Sequence, residues 1–557
     1  MRPLDWAVLA GSLVFVVLYG LWRGRGSDTV NKYLLAGKTM PWYAMALSIM
    51  ATQASAITFI STTGQSYVDG MRFLQFYFGL PLAMVILSAT AVPIFHRAGV
   101  YTAYEYLERR FNAKTRALVS CIFLIQRGLA VGVALSAPAI VLTVIVGWPE
   151  DLTILVMGAA VVVYTVLGGI QAVTWTDFQQ MFIMMAGLFA ALFMAVRLMP
   201  PDVSFAGAVA VAGAASRLNT VTLDLDFSST YTLWSGLLGG LFLALAYFGC
   251  DQSQVQRYLT GKSIAQSRLS LLFNAAAKIP MQFFILFTGA MVFVFFVFEK
   301  PPILFQAPAV RQIQSAPGYA EIAARYDRAF ELRREAARAV VDSRGPAGTA
   351  RFQEAQREFD AARGQAARLA EQAGNTPGFN DTNHIFLSFV TRYLPAGVVG
   401  LVMAAIFAAA MSTISAEVNS LATVTVIDIY RRHLRKDAED RHYLRASQAA
   451  TAFWGVYAIV TARYAQKLGS LIEVVNRLGS LFYGGLLGVF VLAFFFPRVR
   501  ANAAFAGVLA GEAAIFAAHL YTKIFFLWYN VIGCLVVVAV GVLLSEVSQK
   551  ARPAGPG

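Results

Sequence analysis

Apolar runs of about 20 residues recur from one end of the chain to the other, separated by short polar stretches and one long polar insertion. About 20 apolar residues carry a helix across the hydrocarbon core, and inside lipid only helices and closed barrels satisfy their own backbone groups. The runs predict thirteen spans, at about 5–22, 41–66, 73–95, 117–146, 152–168, 172–197, 232–250, 270–298, 386–430, 444–462, 470–496, 502–521 and 525–546. The fold class is therefore an all-α polytopic membrane protein. The first run, DWAVLAGSLVFVVLYGLW, has no basic start and no small-residue cleavage site, so it reads as a retained helix rather than a signal peptide.

The long insertion, 299–385, breaks this pattern. Its stretch GYAEIAARYDRAFELRREAARAVVDSRGPAGTARFQEAQREFDAARGQAARLAEQ has helical spacing on both sides of an RGPAG break, which predicts an antiparallel helical hairpin. Ten Arg and nine acidic residues in it nearly cancel, as expected of a solvated helix pair. Its expected role is a cap or a partner-docking element outside the cell, set against a mere family insertion.

Composition agrees with the membrane reading, with 58% hydrophobic and 14% charged residues. The net charge of +14 follows topology rather than pointing to nucleic acid. An odd number of spans puts the two ends on opposite sides. With the N-terminus outside, twenty-two basic residues fall on the inner side, Arg257 among them, against about seven in the short outer loops. The expected orientation is N-out and C-in, in the cytoplasmic membrane. Cys121, Cys250 and Cys534 all lie in or beside apolar runs, with no disulfide or metal spacing. The five histidines sit in loops or at span ends and no nucleophile motif occurs, so an enzyme is not expected. A solute sensor is the alternative of another class, and the short tail VSQKARPAGPG leaves no room for a signalling module.

Interruptions of the apolar runs suggest a transporter. The second span carries a polar cluster, Thr52, Gln53, Ser55 and Thr58, at its middle, and the seventh is rich in glycine at Gly236, Gly239, Gly240 and Gly249. Five helices separate their starts. Interrupted helices at matching places of two five-helix halves point to an inverted-repeat secondary transporter with its site at the midplane. The predicted halves are spans 2–6 and 7–11. The organisation that follows is an added helix and inner loop at 1–40, a first repeat at 41–197 and the start of a second at 198–298. The insertion at 299–385, the rest of the second repeat at 386–496, and two further helices with a tail at 497–557 complete it.

Four stretches then identify a relationship: TAYEYLERRF, GGIQAVTWTDFQQ, DQSQVQRYLTGKS, and AAAMSTIS with NSLATVTVIDIY in the ninth span. With them the chain resembles the sodium:solute symporter family, whose members carry sugars, proline, iodide, monocarboxylates, vitamins and sialic acid. The resemblance implies a LeuT-type fold of two inverted five-helix repeats plus additional helices, and Na⁺ as the coupling ion. Na⁺ is a hard cation that takes oxygen ligands, which an apolar bundle supplies as hydroxyls and as carbonyls freed where a helix breaks. The resemblance places these at Ser412, Thr413 and the Ala409 carbonyl on the ninth span, with the carbonyls of Ala51 and Ala54 on the second. The bland alternative is that Ser412 and Thr413 bond back to their own helix.

A second sodium site, present in some members, implies Asp177, Ser412 and Ser415. Ala416 stands where those members have a further Ser. For substrate the resemblance singles out Ser55, Thr58 and Gln75, with Arg127 at the position from which sialic acid transporters clamp a carboxylate. Lys278 matches a contact of the galactose-type members, but Tyr77 and Ala244 replace their acidic and amide contacts, which disfavours hexose. Glu417 could neutralise Lys278 or Arg127 instead. Tyr247 matches an aromatic gate. The expected function is sodium-coupled import of a small organic solute, carboxylate-bearing, with a sugar or amino acid as the alternative. The expected partners are that solute and the lipid bilayer, with the protein working as a monomer.

Overall fold

The computed structural model describes residues 1–146, 149–229, 231–343, 345–374, 378–465 and 471–550. Arg344 in the hairpin turn, residue 470 at the start of the eleventh predicted span, and Arg552 in the tail lie outside the described residues. Among those described, nine helices are long and apolar enough to cross a membrane, so this is a multi-span membrane protein. The fifth and sixth predicted spans form a single element, α5, which bends at Gly169, while the second is split and the seventh is short.

The labelled helices are α1 (Pro3–Arg23), α2 (Trp42–Gln53), α3 (Thr63–Asp69), α4 (Ala113–Val146), α5 (Glu150–Arg197), α6 (Phe205–Ala214), α7 (Gly240–Gly249) and α8 (Gln252–Leu259). They continue as α9 (Ile264–Phe298), α10 (Tyr319–Ser343), α11 (Pro346–Gly374), α12 (Val398–Val424), α13 (Asp440–Ala465), α14 (Leu471–Phe495), α15 (Ala501–Tyr521) and α16 (Leu527–Lys550). At the centre stands α12, buried at every residue from Val402 to Val424 and packed most extensively against α5. A helix that is apolar all round must be enclosed, and its few polar side chains must then find partners inside the bundle.

The second span is broken where its polar cluster predicts. The chain leaves α2 at Ala54 (φ −87°, ψ 63°) and resumes through a π-helical turn, Thr58–Thr62, before α3. Leaving the helix deprives its last carbonyls of amide partners. The seventh span is broken too, directly after Gly249, the last of its glycines, and its start at Ser235–Gly239 is π-helical. The break falls at Cys250, and Asp251 caps the start of α8 by accepting from the Ser253 amide at 2.9 Å. Gly236 also serves close approach: a Cβ there would stand 1.9 Å from the Gln75 carbonyl. Gly169, with φ at +58°, likewise faces the Tyr33 carbonyl, 2.6 Å from where a Cβ would be.

The insertion forms the predicted antiparallel pair, α10 and α11. The Tyr326 and Phe359 rings meet across it at 4.8 Å, tilted by 37°, and Glu335 pairs with Arg351 at 3.1 Å. The pair is docked rather than free: Gln353 donates to the Ala214 carbonyl at the end of α6, and Arg333 to the Phe296 carbonyl in α9.

Candidate functional site

The break in α2, the centre of α12, α4 and α7 enclose a cavity of about 110 Å³. Ser55, Thr58, Arg127 and Tyr247 line it, as do Thr413 and Glu417. Four positions singled out for solute contact or gating are thus brought together from three separate parts of the chain.

Beside this cavity α12 meets the broken end of α2. Thr413 Oγ1 lies 3.0 Å from the Thr52 carbonyl and 3.1 Å from the Ala409 carbonyl, two acceptors competing for one hydroxyl proton. Ser412 Oγ is buried and completes no hydrogen bond. Hydroxyls and carbonyls of two helices therefore converge where α2 stops, and they form an all-oxygen donor set of the kind a hard cation takes. The contact from α2 comes from Thr52, which lies between the expected Ala51 and Ala54.

The acid of the second expected sodium site is occupied differently. Asp177 Oδ2 accepts from Ser48 Oγ at 2.6 Å and from Arg257 at 3.0 Å. Arg257 also donates to Thr52 Oγ1 at 2.8 Å, so it ties α8 to α5 and to the end of α2. It is 1% exposed, which corrects its placement among inner-loop cations. Asp177 Oδ1 stays unbonded beside the Ser412 hydroxyl, while Ser415 donates back to the Ser412 carbonyl at 3.1 Å.

Arg127 is met by two acids. It donates to Glu417 Oε1 at 2.8 Å, to Asp251 Oδ2, and to the Tyr483 hydroxyl at 2.6 Å, which itself donates to Asp251 at 2.9 Å. Its guanidinium stands 5.5 Å from the centre of the Tyr247 ring, and Gln254 donates to the Tyr247 hydroxyl at 2.8 Å. Asp251 and Tyr483 are the partners of Arg127 that the sequence reading missed. The signal for Asp251 was its place directly after the seventh span, where an N-cap acid faces the bundle; nothing local marked Tyr483.

Two other expected contacts lie elsewhere. The Gln75 side chain points away from the cavity, accepting from the Thr222 amide at 2.8 Å and donating to the Tyr231 carbonyl at 3.1 Å, where it braces the loop before the seventh span. The neighbouring rings Phe76 and Tyr77 line the cavity in its stead. Lys278 is fully buried behind Tyr77, with its Nζ 4.9 Å from the ring centre and without a hydrogen bond. It makes no pair with Glu417, whose partner is Arg127.

The profile of the sodium:solute symporter family matches residues 33–324 and 366–511. Among curated relatives, a sodium/glucose cotransporter of Vibrio parahaemolyticus is 27% identical, with 91% of this chain and 83% of that protein aligned. Sodium-coupled monocarboxylate transporter 1 of Homo sapiens is 27% identical over 91% of this chain and 72% of its own length. A sodium/sialic acid symporter of Proteus mirabilis (strain HI4320) is 26% identical over 99% and 96%. Among solved structures, a substrate-bound, outward-open Na⁺-coupled sialic acid symporter superimposes with a TM-score of 0.77 at 24% identity, covering 98% of each chain. That likeness shows a shared fold.

Proposed function

The chain belongs to the sodium:solute symporter family, with Na⁺ as its coupling ion, and on that premise we propose that it imports a small organic solute by alternating access. In this reading thirteen helices span the cytoplasmic membrane, N-terminus outside and C-terminus inside, with the two five-helix repeats at 41–197 and 198–496 interrupted by the hairpin. The observation that carries it is the meeting of Thr413 with the broken end of α2 at the wall of the cavity. Na⁺ bound by Ser412, Thr413 and the carbonyls of Ala409, Ala51 and Ala54 holds the two helices together and orders the cavity beside them. Solute bound at Ser55 and Thr58 then closes the outer side, with Tyr247 as the inner barrier. Each Na⁺ entering a cell gains about 2.3 kcal/mol per 100 mV of inside-negative potential.

One Na⁺ per cycle is the stoichiometry that the charges favour. Arg127, Asp251 and Glu417 sum to one negative charge, which a single Na⁺ balances, and Arg257 already answers Asp177. A second site at Asp177, Ser412 and Ser415 requires Arg257 to withdraw.

For the solute we propose a carboxylate, taken by Arg127 in exchange for Glu417. The second reading is a net-neutral solute, a sugar or a zwitterionic amino acid whose carboxylate is held away from Arg127, and the specific observation in its favour is that two acids already neutralise Arg127. Counterflow of labelled solutes into proteoliposomes with and without Na⁺ tests transport itself. Arg127→Lys tests the carboxylate: an ammonium cannot reproduce the planar fork, so solute affinity should fall at least tenfold, about 1.4 kcal/mol, with Na⁺ affinity little changed. Unchanged solute affinity in that variant leaves the neutral solute standing.

A further inference from the structure

A second cavity, of about 310 Å³, lies between the hairpin and the ends of the helices it is docked on. Its walls have two origins. Arg333, Gln356, Phe359, Asp360 and Arg363 come from the stretch 325–365 that the family profile leaves unmatched. Tyr67, Val68, Arg217, Phe293 and Asp381 come from matched stretches.

Three guanidiniums line it, each set against an aromatic ring. Arg333, 1% exposed, donates to the Phe296 carbonyl at 2.6 Å and lies 3.6 Å from the centre of the Phe359 ring. Arg217 donates to the Val68 carbonyl and lies 4.7 Å from the Phe293 ring. Arg363 donates to Asp381 at 2.6 Å and lies 5.1 Å from the Phe305 ring. In all three the Nε is buried without a hydrogen-bond partner among the described residues. Burial draws the Arg217 and Arg333 guanidiniums below the usual arginine range. Burial opposes the charge of Arg363 as well, but Asp381 outweighs it and holds that guanidinium above its ordinary value.

The charge count is specific. Arg217, Arg333 and Arg363 face Asp360, which accepts from Gln356 at 2.9 Å, and Asp381, leaving one uncompensated positive charge. Three buried donors without acceptors, one net positive charge and a wall of rings at Tyr67, Phe293, Phe359 and Phe379 describe a receptor for one carboxylate on an apolar body. We propose that this cavity binds a small organic monocarboxylate, its oxygens taken by the Arg217 and Arg333 donors, and that occupancy ties the hairpin to the Tyr67–Val68 end of the first broken helix. The site stands apart from the central cavity and does not rest on the identity of the transported solute.

Calorimetric titration of the purified full-length protein in potassium salts without Na⁺ tests this, with benzoate as probe, benzamide as its uncharged isostere and inorganic phosphate as comparator. Saturable benzoate binding in the millimolar range or tighter is expected, with benzamide and phosphate each at least tenfold weaker. Arg333→Gln and Arg217→Gln should each weaken benzoate at least tenfold. Arg333 also anchors the hairpin, so Arg217→Gln, on a half-buried loop side chain, is the variant that decides if Arg333→Gln fails to fold. Absence of saturable benzoate binding, equal binding of benzamide or phosphate, or wild-type affinity in Arg217→Gln overturns the proposal. Failure of the transport reading would show separately, as uptake indifferent to Na⁺.

Discussion

Arginine appears in two enclosed places in this molecule under opposite conditions. In the central cavity Arg127 faces two carboxylates and a tyrosine hydroxyl, and the group as a whole is acidic. In the outer cavity Arg217 and Arg333 rely on carbonyls and ring faces, and the group is basic. A guanidinium cannot shed its proton to relieve burial, so what differs is who supplies the counter-charge. The centre supplies it from the chain, which leaves a surplus that a cation can fill. The outer cluster leaves the deficit open, which an anion can fill.

The sharpest break of this contrast is Arg127→Ala. It leaves Asp251 and Glu417 buried without their cation, a loss of about 3–5 kcal/mol, and adding Glu417→Gln should restore part of it. Melting temperature in detergent reads both; a variant as stable as the parent would mean that the two acids do not depend on Arg127. Next in size is Ser412→Ala with Thr413→Ala, which removes the two hydroxyls proposed as Na⁺ ligands. Na⁺ affinity should fall at least tenfold, about 1.4 kcal/mol, with the fold retained. Wild-type Na⁺ dependence of uptake in the double variant would displace the sodium site from α12. The smallest effect belongs to the outer cluster. Arg217→Gln removes one charge from a cluster whose acids compensate only two of its three arginines, so stability without added anion should fall by only about 1 kcal/mol. A loss as large as that of Arg127→Ala would erase the distinction between the two places.

Much of the fold was legible in the sequence because membrane helices announce themselves by length and composition. The break in the second span was visible as hydroxyls and amides in the middle of an apolar run, and the hairpin as a helical period with balanced charge. The seventh span was read as interrupted from its glycines, and its helix does stop at one of them, Gly249. Glycine marks both breaks and tight packing, and only the neighbour at Gln75 shows which one Gly236 serves. Gln75 itself was misplaced because one residue of register turns a side chain from the cavity to the loop that it now braces.

Sequence alone determined the class, the recurrence of membrane-capable helices, the family and the pairing of a broken helix with a hydroxyl-bearing one, since each rests on local composition or on motifs contiguous in the chain. Tertiary structure decided the charges. Asp251 lies 124 residues from Arg127, Asp177 lies 80 from Arg257, and Arg217 is more than a hundred residues from the two hairpin arginines that it joins. Counter-charge acts over a few ångströms and carries no trace in sequence spacing, so which arginines are satisfied and which are left open emerges only when the helices are packed.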